Sequence, residues 1–248
     1  MLLHSGWHLL YHRFAWMFDF VSNWVSNGQW QALGRTALAF LPPGRVLELA
    51  HGPGHLLVAL ERAGHQPVGI DRSAQMSRQA GRRLRHGGLP RRLIRCDARA
   101  LPFRAASFAG VVTTFPTDAV LSASALEEVS RVLAPGGRLV IVAGAQRTGD
   151  RPDPTFRAWL SGLLGEEDQS AVRPEAIFAR AGFRARLEYR VVAASTVFLL
   201  VADKAEASVA ALVAEAEREL RRAARPTAHL AAYRVASRRR QIMRKHLL

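Results

Sequence analysis

Three carboxylates, Glu48, Asp71 and Asp97, each stand at or near the end of a short apolar run. After the first comes a glycine-rich stretch, Ala50-His51-Gly52-Pro53-Gly54-His55. Gly52 and Gly54 let a backbone approach a ligand with no Cβ in the way. A ligand bound there lies over a helix N-terminus, at the carboxyl edge of a sheet. Glu48, just before the turn, is unwelcome beside a pyrophosphate and suits a ligand with a cationic amino group. Asp71 ends the next run, where a Rossmann-like site meets a ribose, and it can accept from both hydroxyls. Asp97 can reach an adenine amino group. Each aspartate alone reads equally well as a helix N-cap or turn residue. Three acidic positions at three successive strand ends favour one shared site.

A dinucleotide fold uses the same strand–turn–helix, with the fingerprint G-x-G-x-x-G or G-x-G-x-x-A. Here Leu57 stands at the third position, where close helix–sheet packing wants a small residue. The residues disfavour a dinucleotide.

The elements that must position these groups follow from periodicity. Strands are expected at Val46–Leu49, Pro67–Ile70, Leu93–Cys96, Phe108–Thr114, Arg138–Ala143, Phe183–Val192 and Ser195–Ala202. Helices are expected at His55–Ala63, from Ser73 to about His86, at Ser122–Leu133 and at Arg173–Ala181. Ala134-Pro135-Gly136-Gly137 reads as a tight turn. Strands alternating with helices mean βαβ units and a mostly parallel, doubly wound α/β sheet. Three zones result. Residues 1–43 form an N-terminal helical cap ended by Pro42-Pro43-Gly44, residues 44–204 form the α/β domain, and residues 205–248 form a basic helical extension broken at Pro226.

The chain has 248 residues, enough for one α/β domain with appendages. Its formal net charge of +15 fits an anionic partner such as nucleic acid or acidic lipid, or solvated arginines on helix faces. The basic residues are spread along the chain, which favours the solvated reading. Cys96 is the sole cysteine, so no intramolecular disulfide forms, and a reducing cytoplasm is expected. The apolar start of the chain is interrupted by His4, His8, His12, Arg13 and Asp19, which argues against a signal peptide or membrane span.

At this point the chain resembles a known family. Leu47-Glu48-Leu49-Ala50-His51-Gly52-Pro53-Gly54 is similar to the first motif of class I S-adenosylmethionine-dependent methyltransferases. Gly69-Ile70-Asp71-Arg72-Ser73-Ala74-Gln75-Met76 resembles the segment that follows it. Asp97-Ala98 with Leu101-Pro102-Phe103 resembles the adenine-side motif. Leu126-Glu127-Glu128-Val129 leading to Arg131-Val132-Leu133-Ala134-Pro135-Gly136-Gly137-Arg138-Leu139 resembles the late helix–turn–strand motif. The likeness spans roughly residues 10 to 204 and is nearest to the ubiquinone/menaquinone-type branch. It implies a Rossmann-like sheet of seven strands with the last antiparallel, and S-adenosyl-L-methionine as cofactor. It implies that Glu48, Ala50, Gly52 and Gly54 line the methionine moiety, with His51 among the candidate contacts. Asp71 would hold the ribose, flanked by Arg72 and Met76. Asp97 and Ala98 would bind the adenine edge, and Thr114 and Phe115 would border the methyl and the acceptor. The sequence departs from the pattern at Ala50, where the turn usually has glycine. Alanine suits that place if its φ stays negative. His51 is read as a turn residue facing solvent, with a ligand contact as the alternative.

Methyl transfer is an in-line displacement, so such a protein chiefly positions and desolvates. A general base is needed only where the acceptor must lose a proton. Candidates are His51, His55, His4, His8, His12 and Asp118. The three early histidines share helical spacing but have no Cys or carboxylate partner in view, so no metal site is expected. Trp7, Trp16, Trp24 and Trp30 read as packing for the cap or as an aromatic lid over an apolar acceptor. The arginine-rich tail reads as a solvated helix face, or as a surface for peripheral membrane or RNA contact. The leading expectation is methylation of a small, apolar or aromatic acceptor. An RNA or protein methyltransferase and a non-catalytic cofactor-binding module are the alternatives. The sequence does not set the oligomeric state.

Overall fold

Seven runs rich in Val, Leu and Ile hydrogen-bond into one sheet. In this computed structural model the described residues are 29–116, 120–147 and 178–205. The chain divides into two compact units, Met1–Lys204 and Ala205–Leu248. The expectations for His4, His8, His12, Trp7, Trp16, Trp24, Asp118, most of the Arg173–Ala181 helix and the basic tail lie outside the described residues.

The strands are β1 (Arg45–Leu49), β2 (Gln66–Asp71), β3 (Leu93–Arg95), β4 (Phe108–Thr114), β5 (Leu133–Arg147), β6 (Phe183–Val192) and β7 (Ser195–Lys204). Their order across the sheet is β3-β2-β1-β4-β5-β7-β6. Neighbours from β3 through β5 run parallel, and β7 runs antiparallel to both β5 and β6. This is the seven-stranded Rossmann-like sheet with its last strand reversed. Strand order switches direction between β1 and β4, the place where open α/β sheets bind ligands at their carboxyl edge.

The helices are α1 (Trp30–Arg35), α2 (His55–Arg62), α3 (Ala74–His86) and α4 (Ala123–Val132), with a 3-10 turn at Thr36–Phe40. Side-chain alternation in the strands sends residues to two cores. Val46, Val112, Val140, Val142, Leu199 and Val201 meet α1, the 3-10 turn and α2 on one face. Leu47, Leu49, Ile70, Val111, Leu139, Ile141 and Leu200 meet α4 on the other. Ser73 and Ser122 cap α3 and α4, their hydroxyls accepting from Met76 N and Ala125 N.

One expectation changes, at Ala134–Gly137. The described end of the cap zone is itself not one unbroken helix. α1 stops at Arg35 and the chain tightens into the 3-10 turn, where Thr36 Oγ1 donates to Leu33 O at 2.6 Å. Arg138 Nη1 donates to Phe40 O at 3.0 Å and its Nε to Asp203 Oδ1 at 2.5 Å, fastening that turn to β5 and β7. Nor is Ala134–Gly137 a turn outside the sheet. β5 already starts at Leu133, which pairs with Phe108, and pairing resumes at Arg138 opposite Gly110. The intervening residues bulge out of register. A Cβ on Gly137 would stand 2.8 Å from Ala134 O and 2.9 Å from Ala109 O, so glycine is needed there.

α2 and α3 approach most closely at Gly54. This residue has φ +82, and a Cβ on it would lie 2.7 Å from Ala80 Cβ and 3.0 Å from Ala80 Cα. Gly54→Ala combines left-handed strain with overpacking against backbone, so it is expected to cost about 2–4 kcal/mol. Denaturant unfolding of the variant checks this; a midpoint equal to wild type would show that the two helices can part without cost.

Candidate functional site

The first turn after β1 is built from alternating left-handed residues. Ala50, Gly52 and Gly54 have φ of 52°, 53° and 82°. The expectation that Ala50 keeps a negative φ is therefore wrong. The turn needs its glycine-like geometry, and alanine adopts it under strain. Several bonds impose that geometry. His51 N donates to Ile70 O at 3.0 Å, and Gly54 N to His51 O at 3.0 Å. Gly52 N donates to Asp71 Oδ2 at 2.9 Å, while Asp71 Oδ1 accepts from Ser73 N at 2.8 Å. From α3, Arg83 donates to Pro53 O. From β4, Thr113 Oγ1 donates to the last carbonyl of β1, Leu49 O, at 3.1 Å.

His51 does not face solvent. It is buried, with Nδ1 placed 2.7 Å from Gly52 O as donor and Nε2 without a partner. The imidazole lies over Gly69 of β2, where a Cβ would stand 2.9 Å from His51 Cδ2 and 2.8 Å from Leu57 Cδ1. Position 69 is glycine to make room for this ring. Burial lowers the His51 pKa, against an opposing pull from the Asp71 charge, and the ring is neutral at pH 7.

Glu48 sits inside β1, opposite Gly69 on one side and Val112 on the other. It is buried, and its Oε2 has no hydrogen-bond partner. Burial, then repulsion by Asp71, pushes its carboxyl well above the usual range. The site thus holds one carboxylate fixed by two backbone N–H groups and one carboxyl whose charge lacks a counter-ion.

Asp97 follows β3 and points differently. Arg99 binds it with Nε at 2.9 Å, Nη2 at 2.8 Å and its backbone N at 2.9 Å, and Arg72 Nε comes within 3.5 Å. The hydrogen bonds from Arg99 hold the Asp97 pKa down to about 2. Ala98 is buried against the α4-side core. Met76, expected beside the adenine, has 0% exposure. Its side chain belongs to the packing under α3, because Ser73 caps the helix and turns residue 76 inward.

Residues for which the sequence reading had no role complete the frame. Glu128 Oε2 accepts from Leu101 N at 2.7 Å, and Arg131 donates to Phe103 O at 2.6 Å and Leu101 O at 2.9 Å. This pair on α4 fixes the loop that follows Asp97. The i, i+3 spacing of Glu128 and Arg131 was the available signal. At the carboxyl end of β4, Phe115 takes φ 49 and its N donates to Val142 O at 2.8 Å. Its ring stacks on Trp30 at 3.9 Å and 26°. α1 lies over Thr114, since a Cβ on Gly34 would touch Thr114 Cγ2 at 3.6 Å. Ser195 Oγ donates to Gln29 Oε1 at 3.3 Å, tying the β6–β7 hairpin to the start of α1. His55 opens α2. Among the described residues no group of three His, Cys, Asp or Glu is placed to hold a metal ion. Among them, too, no helix is long and apolar enough to cross a membrane.

Two measurements test this geometry. Ala50→Gly removes left-handed strain of about 1–2 kcal/mol and adds about 0.4–1 kcal/mol of unfolded-state freedom. It is expected to raise stability by about 0.5–1 kcal/mol, read by urea unfolding. Glu48 binds a proton in the folded state that it has lost in the unfolded one at pH values between the two pKa values. Wild-type stability therefore falls as pH rises above the usual carboxylate range, by about 1.4 kcal/mol per pH unit at most. Glu48→Gln is expected to flatten that fall, its advantage growing from pH 5 to 8. Parallel melting curves for the two proteins would contradict the buried, unpaired carboxyl.

Comparison with known proteins agrees with this geometry. Residues 46–137 match the family model described as a methyltransferase domain. A ubiquinone/menaquinone biosynthesis C-methyltransferase of Syntrophotalea carbinolica is 30% identical over 195 residues, covering 73% of this chain and 80% of that protein. A demethylmenaquinone methyltransferase of Thermus thermophilus is 43% identical over 103 residues, 40% of this chain. There the match spans only 47% of the relative's length. A crystal structure of a SAM-dependent methyltransferase from Aquifex aeolicus shares the fold, with TM-score 0.51, 17% identity, and coverage of 69% of this chain and 89% of that one. A glycine-containing turn that leads from β1 into α2, with Glu48 near the end of β1, Asp71 ending β2 and Asp97 just after β3, occurs here in a chain that belongs to the class I S-adenosylmethionine-dependent methyltransferases.

Proposed function

We propose that this protein transfers the methyl group of S-adenosylmethionine to a small, apolar or aromatic acceptor. The observation that carries the acceptor class is the Trp30–Phe115 stack at the carboxyl end of β4. It places aromatic rings at the strand end next to Thr114. The relatives named above act on quinone precursors by their names, which supports the same class.

The residues fit the cofactor. Glu48 Oε2 is a buried oxygen without a partner, and it would take the cationic amino group. Asp71 uses one acceptor site on each oxygen for the protein, and a carboxylate has about four, so it would also accept ribose hydroxyls. Gly52 and Gly54, with the Ala50 turn, would line the methionine moiety. Asp97, Ala98 and Arg72 would border the adenine. His51 would act from behind the turn, by shaping it.

When bound, the cofactor supplies an electrophilic methyl on a good leaving group. The chain's own contribution is positional. Asp71 holds the turn, the Glu128–Arg131 pair holds the loop after Asp97, and Trp30 with Phe115 excludes water and orients a flat acceptor. His51 is neutral and packed over Gly69, in no position shown to take a proton from an acceptor. The sole cysteine, Cys96, fits a cytoplasmic setting.

Calorimetric titration with S-adenosylmethionine, S-adenosylhomocysteine and NAD tests the proposal. Saturable binding of both adenosyl ligands and none of NAD is expected. Asp71→Asn is expected to weaken that binding at least about tenfold, near 1.4 kcal/mol. Phe115→Ala is expected to lower kcat/KM with a demethylated quinone while leaving adenosyl affinity within about threefold. NAD binding in place of the adenosyl ligands would overturn the cofactor assignment. An unchanged kcat/KM in Phe115→Ala would overturn the acceptor assignment.

A further inference from the structure

β6 is the outer strand of the sheet, with β7 on one side and no described strand on the other. Its burial changes along its length. Phe183 and Ala185 are buried on the α4-side face, but Leu187, Tyr189 and Val191, on the same face, are 38%, 54% and 67% exposed. These three are the exposed large apolar residues among the described residues. Their gathering at alternate positions of one strand is the feature the methyltransferase reading leaves unused. Phe198 of β7 extends the patch, with Tyr189 edge-on to it at 5.5 Å.

The backbone of the strand points the same way. Val192 pairs with Ser195 across the two-residue loop Ala193–Ala194, and Ala193 has φ 50. In such a hairpin the closing pair is bonded inward, and bonding alternates along an antiparallel ladder. The N–H and C=O groups of Val191, Tyr189 and Leu187 therefore face away from β7. The residues that expose apolar side chains are also the ones whose ladder groups point outward, and of these Tyr189 O accepts from Arg190 Nη1 at 2.8 Å, an exposed bond that a pairing strand would replace.

We propose that this edge is a homodimer interface, in which β6 pairs antiparallel with β6 of a second copy about a two-fold axis at Tyr189. The strand is complementary to itself in this register. Tyr189 meets Tyr189, Leu187 meets Val191, and Glu188 meets Arg190 of the other copy. An isologous contact of this kind closes and buries the unpaired edge. In the single chain Glu188 lies between Arg186 at 3.2 Å and Arg190 at 3.5 Å, and Arg186 also holds Asp203 at 2.6 Å, so Arg190 is the arginine left to face the second copy's Glu188. The apolar triad and this pairing need no partner of another kind.

Sedimentation velocity of the full chain across a concentration series tests the proposal. The expected mass rises from 27.3 kDa toward twice that value. Tyr189→Lys sets two ammonium groups face to face and is expected to weaken association at least tenfold, with a melting curve that matches wild type at dilutions where both are monomeric. In a Cys96→Ser background, Tyr189→Cys is expected to cross-link on mild oxidation, because paired Cα atoms there lie about 5.5 Å apart. Leu187→Cys is not, because its two copies would lie roughly 14 Å apart. The wild-type series and the cross-links decide the matter even if Tyr189→Lys fails to fold. A chain that stays monomeric at every concentration overturns the proposal, and does so equally if it co-sediments with neutral phospholipid vesicles. Dimers that ignore Tyr189→Lys, or that cross-link through position 187, overturn it too.

Discussion

The Asp71 carboxylate is the point on which the site depends. It ends β2 and accepts from Gly52 on the neighbouring turn and from Ser73 at the head of α3. One buried charge thus joins two loops and sets where two helices begin. Its field reaches both neighbours: it adds to the burial that raises the Glu48 pKa, and it opposes the burial that lowers that of His51. Moving this carboxylate would free Gly52 N and Ser73 N together, leaving the turn to its backbone bonds from His51 and Gly54 and to Arg83 and Thr113.

That turn is costly on its own. A non-glycine residue at φ 52 and a carboxyl without a partner are both unfavourable in an isolated protein. Both occur in the same few residues, next to a strand order that reverses. The strained turn and the unpartnered carboxyl stand together where the proposed cofactor's cationic amino group and ribose would be held. The surrounding sheet tolerates this because its two cores are apolar on both faces.

The sequence alone made much of the fold legible. Alternating strands and helices, with helices opening at Ser73 and Ser122, were legible, and β4 and β6 were expected with the bounds the structure shows. Glu48, Asp71 and Asp97 could be read as a set because strand ends are local features. The errors have one kind of cause. The burial of His51 depends on Gly69 of another strand, and the inward turn of Met76 depends on how α3 lies against the sheet. The placement of Ala134–Gly137 depends on pairing with β4. None of these is encoded within a few residues of the position concerned.

What the sequence determined by itself was the period and punctuation of the chain: which residues are apolar at which spacing, where glycine interrupts them, and where acids stand at strand ends. These are short-range properties and they specify element type, order and the family of the site. Only the tertiary structure decided which polar groups are partnered. Asp97 is occupied by Arg99 and Arg72, Glu48 Oε2 has no partner, Glu128 and Arg131 brace the loop after Asp97, and Trp30 meets Phe115. Hydrogen bonding and burial are settled between segments far apart in sequence, because a side chain's partners are whatever the folded sheet brings within about 3 Å of it.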